Sequence, residues 1–294
     1  MLRHILTSLL FILFIAPGTQ AYDHDVFNTL LAEHVVPFNN GRATSVDYHG
    51  LQQDREILDA YLTGLAEVSK AEFDSWEKAE QLAFLINAYN GWTLKLIVDN
   101  YPDLNSIKDL GSLFRSPWKK SFIPLLGETR SLDDIEQGLI RGSGRYNEPR
   151  IHFAVNCASI GCPALRDEAY RADRLEGQLE EATRRFLEDR TRNRPATDDT
   201  LEISSIFKWY REDFENGWRG AATLEQFLAL YGSNLGLDTT QIEKLKKGKY
   251  DIDFLDYDWR LNDLKPRSYS GIPRSVFYSS YSHYCWRIVK RKAI

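Results

Sequence analysis

WEKAEQLAFLINAYNGWTLKLIVDNYP, residues 76–102, decides the fold class. A helix with one apolar stripe lies on a surface, whereas one that is apolar on every side lies inside. The middle of this stretch, LAFLINAYNGW, is apolar nearly all round. It predicts a buried central helix near residues 77–100, ended by Pro102.

The flanking segments supply its packing partners. DVFNTLLAEHVV (25–36), LQQDREILDAYLTGLAEV (51–68) and RADRLEGQLEEATRRFLEDR (171–190) carry the 3-4 apolar rhythm of amphipathic helices. TLEQFLALYG (223–232) opens with the capping pair Thr223 and Gln226. SLDDIEQGLIRG (131–142) opens likewise, with Ser131 and Asp134, and closes at glycine. RATSVDYHG (42–50) reads as a short extended piece. WKKSFIPLLGETRSL (118–132) reads as a hairpin turning at Gly127, and RIHFAVNC (150–157) as a strand. LEISSIFKWYREDF (201–214) runs from strand to helix, and YDIDFLDYDWRLND (250–263) alternates as a strand. Helices outnumber strands and do not alternate with them. The expected class is α+β, a mostly helical domain around a small, largely antiparallel sheet.

The ends differ from the middle. MLRH, the apolar ILTSLLFILFIA and PGTQA form the pattern of a cleavable secretory signal over residues 1–21, cut after Ala21. The apolar run is short of the ~20 residues that span a bilayer. A periplasmic or secreted protein is expected, with one globular domain over 22–263. From Leu264 to Ile294 there are seven Lys or Arg and no acidic residue, in a Ser- and Tyr-rich tail. A poorly ordered terminus is the first expectation there, and weak contact with a membrane surface the second. The net charge of −5 argues against a general nucleic-acid binder. Phosphate loops, H-E-x-x-H, G-x-S-x-G and EF-hand loops are missing from the sequence, and no cofactor is expected. A small-molecule or peptide substrate is the expected partner.

Two of the three cysteines, Cys157 and Cys162, fall in IHFAVNCASIGCPAL (151–165) behind His152. A nucleophilic thiol needs a lowered pKa, a base within hydrogen-bond reach and a group that orients the base. Cys157, His152 and Glu136 supply those types. In a regular strand, though, residues five apart point to opposite faces and stand ~16 Å apart at ~3.3 Å per residue. Cys162, after Gly161 and before Pro163, sits where the chain can reverse towards His152. In an oxidising compartment the same two cysteines can close a small-loop disulfide, and buried inert thiols are a third reading. The spacing C-x4-C with one upstream histidine is no standard zinc pattern, so no metal is expected.

Asn87 and Asn90 lie one turn apart on the central helix. They either hydrogen-bond neighbouring backbone or line a polar pocket and hold a substrate oxygen. Arg150 and Ser159 complete the candidate binding set, Arg150 also as a partner for Glu136. The pairs Trp209–Tyr210 and Tyr257–Trp259 read as packing, and His24, His34 and His49 as exposed.

FLINAYN (84–90), SLDDIEQGLIR (131–141), RIHFAVNCASIGCPAL (150–165), IFKWYREDF (206–214) and FLDYDWRLN (254–262) resemble, in that order, the hallmarks of domain of unknown function family 547. The family pattern often carries histidine where Gln137 stands here. The resemblance spans about residues 28 to 262, and the family looks like a distant relative of papain-like or transglutaminase-like thiol enzymes. The implied activity is a thiol-dependent hydrolase or acyl (amide) transferase on a peptide-like or γ-glutamyl-type substrate. The other expectation is a non-catalytic periplasmic binding module with a structural Cys157–Cys162 disulfide.

Overall fold

The computed structural model describes residues 22–264, apart from 113, 114, 197 and 198. The expected signal segment and basic tail lie outside the described residues, as does Cys285. Within them no helix is long and apolar enough to cross a membrane.

The central helix runs Lys78–Val98, and every residue from Gln81 to Val98 is buried except Lys95. It packs against the Arg55–Glu67 helix, whose Leu58, Tyr61, Leu62 and Leu65 face inward, and against the Asp134–Arg141 segment. That segment is a π-helix, with Ser131 and Asp134 bonded reciprocally at its start. The hairpin forms as read, Ile123–Leu125 pairing antiparallel with Glu128–Arg130 across Gly127, whose φ of 79° suits glycine. Val35–Phe38 pairs antiparallel with Ala43–Val46. The three-stranded sheet joins Arg194–Pro195, Thr200–Ser204 and Asp251–Leu255, and its last pair is parallel. The class is α+β, with small and mainly antiparallel sheets, and that parallel pair is the exception. Its two strands are separated by several helical segments, enough chain for a crossover.

Two apolar clusters fill the interior. One gathers around the central helix, and the other around Phe153, Phe186, Phe207, Phe214 and Phe227. Their junction overturns one expectation. RIHFAVNC is not a strand. Pro149–Phe153 is a 3-10 helix, with all five residues buried. Ile151, Ala154 and Val155 face the first cluster while Phe153 faces the second. A segment apolar towards two cores looks like a buried strand by composition, since both give continuous apolar runs. Here the start is set locally: Pro149 fixes φ at the first helical position, and the Glu148 carboxylate accepts from the Arg150 N–H at 3.1 Å.

Candidate active site

The turn that follows carries the cysteines, and buried amides hold it. Asn90 donates to the Ala154 carbonyl at 3.0 Å and accepts from the Asn156 N–H at 2.8 Å. Asn156 in turn donates to the Pro163 carbonyl and accepts from the Ala158 N–H, at 2.8 and 2.9 Å. Ala158 sits at φ 58°, a conformation that costs a non-glycine residue and needs such anchoring. The far side is tied to a later segment of the chain. The Ile160 and Gly161 N–H groups donate to the carbonyls of Arg260 and Asp258, and the Asn262 N–H to that of Ala158. Gly161 is required for space: a Cβ there would lie 2.9 Å from the Tyr257 ring.

Cys157 and Cys162 are joined in a disulfide, with Cα atoms 6.2 Å apart. The Tyr257 hydroxyl lies 3.1 and 3.2 Å from the two sulfurs, and the Ser159 hydroxyl 3.2 and 3.4 Å. Cys157 is partly exposed and Cys162 buried. Both line a cavity of about 230 Å³ together with His152 and Glu136. In this form the segment holds no free thiol, and nucleophilic chemistry there requires prior reduction.

His152 does not pair with Glu136. Its Nε2 lies 2.6 Å from Asp213 Oδ2, and Arg141 binds the same carboxylate, its Nη2 3.0 Å from Oδ1. Burial raises the Asp213 pKa, but the bonds from His152 and Arg141 outweigh it and bring it down to about 2. An ionised Asp213 can only accept, so the network assigns the imidazole proton to Nε2. Nδ1 is left as the basic atom, buried and without a partner among the described residues. The ring lies against Tyr210, centroids 3.9 Å apart at 25°, which fixes its plane.

Glu136 is 5% exposed, and its Oε1 has no hydrogen-bond partner among the described residues. Burial, then this carboxylate's charge and a hydrogen bond to it, push the hydroxyls of Tyr89 and Tyr210 upward, so both stay protonated near neutral pH. The aromatic pairs read as packing stand on the wall: Trp209, Tyr210, Tyr257 and Trp259 all line the cavity.

Three of the four candidate binding residues serve the fold, and the fourth, Ser159, stands at the sulfurs. Asn87 holds backbone only, bonding the Tyr170 carbonyl and N–H at 2.8 and 2.9 Å. Asn90 likewise serves the cysteine turn. Arg150 is 1% exposed and bound to Glu148, Glu176 and Glu180 over the Trp218 ring. Ser159 touches both sulfurs but is 1% exposed. Of the three scattered histidines, His49 is exposed as expected and the other two are not. His24 and His34 are buried, bonded to Tyr61 and Asp54 at 2.7 and 2.8 Å. Sequence reasoning passed over Asp213 and the hydroxyl of Tyr257. The signal was there: both fall inside the quoted segments IFKWYREDF and FLDYDWRLN.

All five of those segments converge here. FLINAYN anchors the cysteine turn through Asn90, SLDDIEQGLIR brings Glu136 and Arg141, and IFKWYREDF brings Asp213 and Tyr210 to His152. FLDYDWRLN closes the turn from outside, its Asn262 side chain accepting from Tyr48 at 2.7 Å.

Residues 73–187 match the family model described as "Protein of unknown function, DUF547". The match supports the family 547 resemblance over the first three segments, a narrower span than the motifs cover. No curated protein and no solved structure matches the chain.

Proposed function

We propose that this chain, carrying its family 547 segment, is an exported thiol-dependent acyl or amide transferase or hydrolase whose nucleophile is stored as the Cys157–Cys162 disulfide. One observation carries the reading: a histidine held by an ionised aspartate keeps a buried, unpartnered Nδ1 and lines the same cavity as the cysteine pair. That is the nucleophile–base–orienter logic of thiol enzymes, with Asp213 in the role first given to Glu136.

An external dithiol opens the disulfide, itself becoming oxidised as the two cysteine sulfurs take up two protons and two electrons. Cys157, the more exposed, then attacks a carbonyl carbon. His152 Nδ1 takes the thiol proton and returns it to the departing amine, leaving an acyl-thioester. Water or a second amine displaces the acyl group and regenerates the thiol. The Tyr257 and Ser159 hydroxyls, both near the sulfurs, donate hydrogen bonds to the thiolate and favour it.

A second reading has its own observation. The disulfide, together with Asn87 and Asn90 committed to backbone, fits a binding module in which the cysteine turn is purely structural. Thiol counting on the folded protein decides between them. Transferase chemistry expects the disulfide to open under mild dithiol with the fold intact, exposing one fast thiol that Cys157→Ser removes. A structural disulfide expects no reduction until the protein unfolds.

A further inference from the structure

The cavity has an electrostatic bias that the cysteine chemistry does not use. Glu136, 5% exposed, keeps Oε1 unpartnered among the described residues, and Asp133 lines the same cavity. Among the described residues no lysine or arginine lines it, and His152 is its one basic side chain. Arg141, on the helix that carries Glu136, is engaged with Asp213 and Gln137. The Tyr89 and Tyr210 hydroxyls hydrogen-bond the carboxylate, yet its buried Oε1 still has room for a further donor, and leaving a buried carboxylate oxygen unpaired is costly.

The rest of the wall is aromatic. Tyr89, Trp118, Trp209, Tyr210, Tyr257 and Trp259 contribute rings whose faces attract cations. Trp209 is 47% exposed and stacks on Trp259 with centroids 5.6 Å apart, and Trp118 meets Trp259 edge-on at 5.6 Å. One ammonium is already drawn to this group: Lys108 Nζ sits 3.8 Å from the centroid of the Trp259 ring.

We infer that the cavity binds the alkylammonium end of a primary amine, its N–H groups on Glu136 and its stem between the rings. The volume of about 230 Å³ suits a short chain. At ~30 Å³ of liquid volume per water it holds the equivalent of several waters. Within the proposed transferase this amine is the acyl acceptor, so the inference rests on that reading for its chemical consequence. Its binding does not require a thiol.

The test is tryptophan fluorescence on the full chain with the disulfide intact, titrated with n-butylammonium, cadaverine, tetramethylammonium and butyrate. The expected result is a saturable change with the two primary amines. Their Kd should be at least tenfold lower than for tetramethylammonium, which lacks N–H groups, and for butyrate. Glu136→Gln should weaken butylammonium at least tenfold, and Trp209→Ala, at an exposed ring whose loss leaves the cores intact, severalfold. Equal binding of butyrate, or unchanged affinity in both variants, overturns the inference. Counting fast thiols on the dithiol-treated protein alongside the titration separates the two claims. Amine binding that survives while no fast thiol is found sinks only the transferase reading. A fast thiol without amine binding sinks only this one.

Discussion

Replacing Asn90 by alanine removes the clamp between the central helix and the cysteine turn. The side chain is 3% exposed and makes two hydrogen bonds, to the Ala154 carbonyl and from the Asn156 N–H. Each such bond contributes about 1 kcal/mol net, and each buried group left unpaired costs about 1–3 kcal/mol. The two freed backbone groups are not independent, since both lie in one short turn that relaxes together. The expected loss is about 3–4 kcal/mol, read as the shift of the urea midpoint at unchanged m. The loss should come with easier reduction of the disulfide, because the same turn holds both cysteines. Asn87→Ala, which removes an equally buried two-bond clamp on Tyr170, is the control: a similar stability loss without the change in reducibility. A loss under about 1 kcal/mol for Asn90→Ala, or equal reducibility in the two variants, would refute the reasoning that Asn90 holds the turn.

Three further outcomes are expected. Burial lowers the His24 pKa from 6.5 to about 3, so the folded state binds the proton less well than the unfolded chain. Its stability contribution is full above about pH 6.5 and is lost as pH falls towards 3, about 2 kcal/mol by about pH 5. Chemical denaturation of His24→Gln against the parent should show that slope disappear. Asp213 has its pKa depressed to about 2, so its ion pairs stabilise fully above about pH 4 and fade below. Asp213→Asn should cost on the order of 1–2 kcal/mol at about pH 7 and converge with the parent near about pH 2. Gly161→Ala forces a methyl against the Tyr257 ring and should cost about 1–3 kcal/mol by thermal melting, with altered tyrosine fluorescence. A Gly161→Ala variant as stable as the parent would mean that the ring gives way freely.

Most of the scaffold was legible, because the scaffold follows from periodicity. The Lys78–Val98 helix, the Gly127 hairpin and the Leu175–Leu187 helix formed where their apolar patterns put them. The 150–157 segment did not, since a stretch buried between two cores has no face pattern by which helix and strand differ. The strand-parity objection to pairing His152 with Cys157 disappears with the strand. At the site, Cys157, Cys162, His152 and Glu136 were legible by type and do share one cavity. The true partner of His152 was not legible. Asp213 lies 61 residues away in sequence, and only the second apolar cluster, folding Phe153 against Phe214, brings the two together. Asn87, Asn90 and Arg150 have the composition of ligand-binding groups but are used by the fold itself. The unpartnered Oε1 of Glu136 is a property of three-dimensional surroundings that no local pattern encodes.

The central claim is that His152, held by Asp213, serves as base for a releasable Cys157 thiol. Its most direct test is the pH profile of iodoacetamide alkylation at Cys157 in the folded, dithiol-treated protein, compared with His152→Ala and Asp213→Asn. The account predicts reaction well below the free-thiol pKa of about 8.5, and a shift of the profile towards that value in both variants. A disulfide that opens only on unfolding, or a Cys157 profile identical in all three proteins, would contradict it.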